Sequence, residues 1–112
     1  MTDNMTMHTI VETEEFEHLW PLYWTEKEYD EFQEFISENP NAGDVVRGSG
    51  GVRKVRWTRQ GSGKSGGVRV IYFNRLANGE IWLILIYAKS KLDSISGDQL
   101  RKVKNEIEKT ID

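Results

Sequence analysis

The chain has 112 residues, 38% of them hydrophobic and 29% charged, with no cysteine and a formal net charge of −3. That length supports one domain around a single modest core, and the lack of cysteine excludes disulfides and thiolate metal sites and fits a reducing compartment. The longest apolar run, residues 81–88, is far too short to cross a bilayer as a helix, and no charged-then-apolar signal peptide opens the sequence, so a cytoplasmic protein without a membrane partner is expected.

The small net charge hides a strong polarity. Residues 1–46 hold twelve acids and one base, Lys27, whereas residues 47–91 hold ten bases and one acid, Glu80. A basic block inside an acidic protein is a candidate surface for a polyanion. The competing reading is a solvated basic sheet face that compensates acidic helices of the same fold.

Residues 1–7 read as a flexible tail ahead of one domain over residues 8–112. His8 to Glu12 fits a short strand. Phe16, Leu19, Trp20, Leu22 and Tyr23 come next at near-helical spacing, but Pro21 argues against a long helix there. Thr25 and Glu28 form a capping box, and Tyr29, Phe32 and Ile36 recur at steps of three and four, which predicts a helix ending at Pro40. Gly43, Gly48, Gly50 and Gly51 mark a loop.

Three strands come next. Val52 to Thr58 alternates, with Val55 and Trp57 facing one way and Lys54 and Arg56 the other. Val68 to Arg75 pairs with it across a glycine-rich loop. Asn78-Gly79 is a tight-turn signal, and Glu80 to Ala88 is apolar on both faces, as a central strand covered on both sides would be. Ser96 as N-cap with Gln99 opens a last helix, with Leu100, Val103 and Ile107 as its buried stripe. The expected fold class is α+β: a mostly antiparallel four-stranded sheet with two N-terminal helices and a C-terminal helix, the helices packed on one face. Phe32, Trp57, Ile71, Leu83, Ile84 and Leu85 are its expected core.

The stretch GSGKSGG, residues 61–67, has the Lys-Ser pair of a nucleotide-binding loop. That loop requires a glycine where Thr58 stands and a helix directly after the pair. Residues 68–73 alternate like a strand instead, so nucleotide binding is excluded and the stretch reads as a long hairpin loop. His8 and His18 lack partners at metal-ligand spacing and read as surface or half-buried residues. The glutamates of residues 12–17 and the acids of residues 26–38 read as solvated helix faces.

The basic strands carry more chemistry. Lys54 and Arg56 share a strand face, Arg69 lies on the neighbouring strand, and Lys89 and Lys91 come after the central strand. Cations on rigid strands can hold a phosphodiester and stabilise the charge that grows in its transition state. RNA supplies its own nucleophile, the 2′-hydroxyl, so no metal or other cofactor is required. The reaction needs one base and one acid, and a lysine crowded by other cations can take either part.

At these residues the chain resembles the RelE/HigB-like toxins of bacterial toxin–antitoxin pairs, in the RelE/ParE superfamily, over about residues 8–110. The pattern runs from "NP..GD" into "GGVRKVRW", then "GGVRVIYF", then "IWLILIYAKSKLD" and a terminal helix. "GKSGGVRVIYF" followed by "LILIYAKSK" is its most specific part. The resemblance implies a ribosome-dependent endoribonuclease, an mRNA interferase that cuts messenger RNA and is silenced by a cognate antitoxin, expected to be a helix-turn-helix DNA-binding protein. It places the family's first basic pair on Lys54 and Arg56, its phosphate-stabilising arginine on Arg69, and its last basic segment on Lys89 and Lys91. Arg53, Arg59 and Lys64 are the accompanying candidates for RNA contact, Lys64 at the tip of the glycine loop. The sequence departs from the family at Ser90, where an arginine is usual, and at Ser96, where some members have a tyrosine. Two alternatives remain open: a gyrase-poisoning relative of the ParE branch, and an RNA-binding module without catalysis.

Overall fold

A computed structural model of the chain describes residues 8–58, 67–88 and 95–111. Strand β1, Thr9–Glu12, leads into helix α1, Glu14–Leu19, whose N-cap Thr13 accepts a hydrogen bond from the Phe16 amide. The chain then tightens into a 3-10 turn at Trp20–Leu22 that contains Pro21, so the helix stops where proline removes a donor. Helix α2, Glu26–Glu38, opens with the expected capping box between Thr25 and Glu28 and ends at Asn39, before Pro40. Strands β2 (Asp44–Val45), β3 (Arg53–Trp57), β4 (Val68–Arg75) and β5 (Glu80–Ala88) complete the sheet. Between β4 and β5 lies a 3-10 turn closed by Gly79 in the left-handed region, with φ 68°. Helix α3, Gly97–Ile111, starts at Ser96, which exchanges hydrogen bonds with Gln99.

The sheet has five strands in the order β1-β5-β4-β3-β2, against the four expected. The additional strand is β2, two exposed residues that leave no periodic trace in a sequence. β1 runs parallel to β5 and every other pairing is antiparallel.

The helices do not share one face, contrary to the expectation from sequence. Phe16, Tyr29, Phe32 and Ile36 of α1 and α2 pack with Val55, Val70, Tyr72, Leu83 and Ile86 on one side. Leu100 of α3 packs with Val52, Ile71, Phe73, Ile84 and Tyr87 on the other. The apolar residues on both faces of β4 and β5 require this arrangement, because a sheet buried on two sides needs a layer over each.

A bulge refines it. Ile71 pairs with Leu85 but Tyr72 pairs with Leu83, so Ile84 is an extra residue in β5. Ile84 and Leu85 consequently both belong to the α3 side. Thr13 braces the irregular backbone, its amide donating to the Leu83 carbonyl at 3.1 Å and its hydroxyl to the Ile84 carbonyl at 3.2 Å. Ile84 takes the covered position, while Leu85 is half-buried beside an apolar groove that Ile84, Val103 and Ile107 also line. Trp57 and Ile107 are likewise half-buried, and Val103 is 40% exposed, so four residues expected to be buried lie at the margin of the core.

The N-terminus of α3 sits on the turn that joins β2 to β3. A Cβ on Gly97 would fall 1.8 Å from the Arg47 carbonyl oxygen, so only glycine permits this approach. Arg101 fastens the contact by donating to the Gly48 carbonyl at 3.0 Å. Ser49 closes the turn itself, donating to the Val46 carbonyl and accepting from the Val52 amide.

Candidate nucleic-acid interface

The register of the antiparallel strands assembles a basic row. Arg56 of β3 lies directly opposite Arg69 of β4, and Lys54 lies opposite Ile71. Facing residues of neighbouring strands project to the same side of a sheet. Lys54, Arg56 and Arg69 therefore share the α3 side with Val52 and Ile71. Tyr87 of β5 pairs with Arg69 and is 3% exposed, giving the arginine a packed, rigid neighbour.

The row lacks compensation. None of Lys54, Arg56 and Arg69 forms an ion pair among the described residues. The Nη1 atom of Arg69 is buried with no hydrogen-bond partner among them. Buried donors are normally satisfied, so an unmet guanidinium nitrogen beside a second arginine marks a position suited to an incoming anion. The planar fork of arginine matches two oxygens of a phosphate.

The other candidates are distributed differently. Arg53 is on the opposite side of β3, where its Nη1 donates to the Gly43 carbonyl at 2.6 Å and to the Asn41 carbonyl at 3.4 Å. It is thus not brought together with Lys54 and Arg56. Arg59, Lys64, Lys89 and Lys91 lie outside the described residues. His8 bonds the Ser37 carbonyl through Nδ1 at 2.9 Å, and His18 bonds the Glu14 carbonyl four residues back. Among the described residues no group of three or more metal-ligating side chains converges, and no helix is long and apolar enough to cross a membrane.

Asp44 belongs to this face; it is the aspartate of the NP..GD stretch, to which the sequence alone attaches no chemical role. It lies opposite Lys54 in the β2–β3 register, two residues before Val46, which packs on the α3 side. Its position is fixed by a set of bonds from the sheet to residues 40–43. The Tyr72 hydroxyl donates to the Pro40 carbonyl at 2.8 Å and accepts from the Gly43 amide at 2.9 Å. Asn74 adds a bond to the Pro40 carbonyl at 2.9 Å. Burial raises the pKa of the Tyr72 hydroxyl, with the Gly43 amide and Arg53 opposing the shift.

A double-arginine-to-alanine mutant of E. coli toxin RelE, in its free state, has the same fold. The two superpose with a TM-score of 0.57 at 16% sequence identity, over 94% of this chain and 98% of that one. Residues 30–111 match the model of the RelE toxin of the RelE/RelB toxin–antitoxin system, and the chain belongs to the RelE toxin family. That membership implies an antitoxin partner.

Proposed function

We propose that this toxin is an endoribonuclease that cuts messenger RNA on the ribosome, in the cytoplasm, and that a cognate antitoxin silences it. The observation that carries the reading is the row of Lys54, Arg56 and Arg69, none of them ion-paired among the described residues, with the Arg69 Nη1 buried and unsatisfied among them. A phosphodiester seated there gains charge-assisted hydrogen bonds that strengthen as negative charge accumulates in the transition state. The 2′-hydroxyl of the upstream ribose attacks the phosphorus, so the nucleophile comes with the substrate and no metal is needed to make one. Lys89 and Lys91 act as further cations of the site, and Arg59 and Lys64 contact RNA from the β3–β4 loop. The antitoxin blocks the face by laying an acidic or extended segment across it. A gyrase-directed relative would have no use for uncompensated cations on strand surfaces, which favours the ribonuclease reading.

The test uses a translation extract programmed with one mRNA, with the 5′ ends of fragments mapped by primer extension. Wild type is expected to generate new ends at ribosome-occupied codons and none on naked RNA, because free RNA is not held in line for attack. Arg69→Ala is expected to cut slower by on the order of a hundredfold, as when a preorganised oxyanion donor is removed. Wild-type rates from folded Arg69→Ala would remove Arg69 from the mechanism. Equal cutting of naked RNA would indicate an ordinary ribonuclease.

A further inference from the structure

A row of cations binds a phosphodiester but leaves one requirement of the reaction open: something must accept the 2′-hydroxyl proton. Arginine cannot, since it stays protonated in proteins. A lysine ammonium has three donors and no acceptor and must first lose a proton to serve, whereas a carboxylate accepts one directly. Two described carboxylates lie on strands of the α3 side. Glu80 sits at the far end, held by Arg75 at 3.1 Å and by the Trp82 indole at 3.0 Å. Asp44 is exposed and directly opposite Lys54; its carboxylate makes no hydrogen bond or ion pair among the described residues, and its charge adds to the rise of the Tyr72 pKa.

Resting on the ribonuclease reading, we infer that Asp44 is the general base of the site. The strand order fixes the geometry. From β2 to β5 the face presents Asp44, then Lys54 and Arg56, then Arg69, then Tyr87. Neighbouring strands are about 4.8 Å apart and facing Cβ atoms about 5 Å. A phosphate held between Lys54, Arg56 and Arg69 thus has a carboxylate within a side chain's reach on its β2 flank. In-line displacement requires the attacking and leaving oxygens on opposite sides of phosphorus. The nucleotide that supplies the 2′-hydroxyl therefore lies over β2, and the nucleotide that departs lies toward β5. RNA crosses the sheet from the β2 edge inward, 5′ to 3′.

The step balances. The Asp44 carboxylate takes the proton of the 2′-hydroxyl, the 2′-oxygen bonds to phosphorus, and the bond from phosphorus to the 5′-oxygen breaks. The leaving oxygen takes its proton from solvent, and the Asp44 carboxyl returns its own proton to solvent, so none is gained or lost over the cycle. The products are a 2′,3′-cyclic phosphate and a 5′-hydroxyl end.

The experiment measures single-turnover cleavage of mRNA on purified, programmed ribosomes, together with the affinity of each protein for those ribosomes. Asp44→Asn and Asp44→Ala are expected to cut on the order of a hundredfold slower, within the range for loss of a general base. Their affinity should be unchanged or tighter, because a negative charge has left a cationic face. Added formate should restore part of the rate to Asp44→Ala and nothing to wild type. A variant that cuts as fast as wild type overturns the assignment, as does a slowdown matched in full by weaker binding. If wild type itself leaves ribosome-bound mRNA intact, the ribonuclease reading fails and this assignment falls with it.

Discussion

Arg69 is held in a position that works against stability. A like charge directly across the strands is unfavourable by roughly 0.2–1 kcal/mol, and an unsatisfied buried donor by about 1–3 kcal/mol. Arg69 has both, with Arg56 opposite and its Nη1 unpartnered among the described residues. Arg69→Ala should therefore melt at the wild-type temperature or slightly higher while cleavage collapses, and calorimetry beside the cleavage assay checks this. A clearly lower melting temperature would assign the side chain to the fold instead. Two tyrosines give a different signature. Burial and the hydrogen bond to Glu12 push the Tyr29 hydroxyl far above its ordinary value, and burial also raises Tyr72. Both keep their protons in the folded state where the unfolded chain would lose them. Their contribution is complete below about pH 10 and is lost as pH rises further, at about 1.4 kcal/mol per pH unit for each group. Tyr29→Phe should reduce the slope of stability against pH above that point, as urea melts would report.

At the scale of elements, α3 is the test of two-sided packing. Leu100 is 2% exposed whereas Val103 is 40% exposed. Leu100→Ala should cost about 2–5 kcal/mol, and Val103→Ala, a surface change, less than about 0.5 kcal/mol. Denaturant titration separates the two. The bulge makes a second comparison: aspartate at Ile84 should prevent folding, whereas aspartate at the half-buried Leu85 should be tolerated better. Much of this layer was legible from residues. Thr25 with Glu28 and Ser96 with Gln99 announced helices because caps are local chemistry. The alternation of residues 52–58 placed Lys54 and Arg56 together because side-chain direction comes from period alone. The rest depended on partners far along the chain. β2 is too short to show a period, and the placement of Ile84 and Leu85 on one side is decided by a slip in register with β4. The division of helices between two faces is set by topology, which no window of sequence contains. Asp44 stood in the NP..GD stretch, but its place beside Lys54 was hidden for the same reason, since that neighbour is ten residues away and meets it only through a turn.

At the scale of the molecule, the sheet gathers the unpaired cations Lys54, Arg56 and Arg69 on the α3 side, whereas the acid-rich helix α2 packs on the other. Such separation orients approach to a polyanion before any contact forms. Each phosphate neutralised on a single strand contributes roughly 0.7 to the slope of log affinity against log salt. Arg69→Ala should lower that slope by about one such increment, whereas a change on the acidic helices, such as Glu31→Gln, should leave it unaltered. Ribosome-binding isotherms across a salt series distinguish the two.

The parallel pairing of β1 with β5 bears on the order in which the protein is made. The Thr13 hydroxyl bonds a carbonyl 71 positions later in the chain, so β1 cannot find its place until β5 is available. Contacts of such sequence separation form late, because the intervening chain must be ordered first. During translation the acidic N-terminal helices emerge well before the basic strands, and the central strand that unites them comes last. Synthesis and completion of the sheet thus run in opposite directions. The basic face is therefore finished only after β5 has been made and the sheet can close.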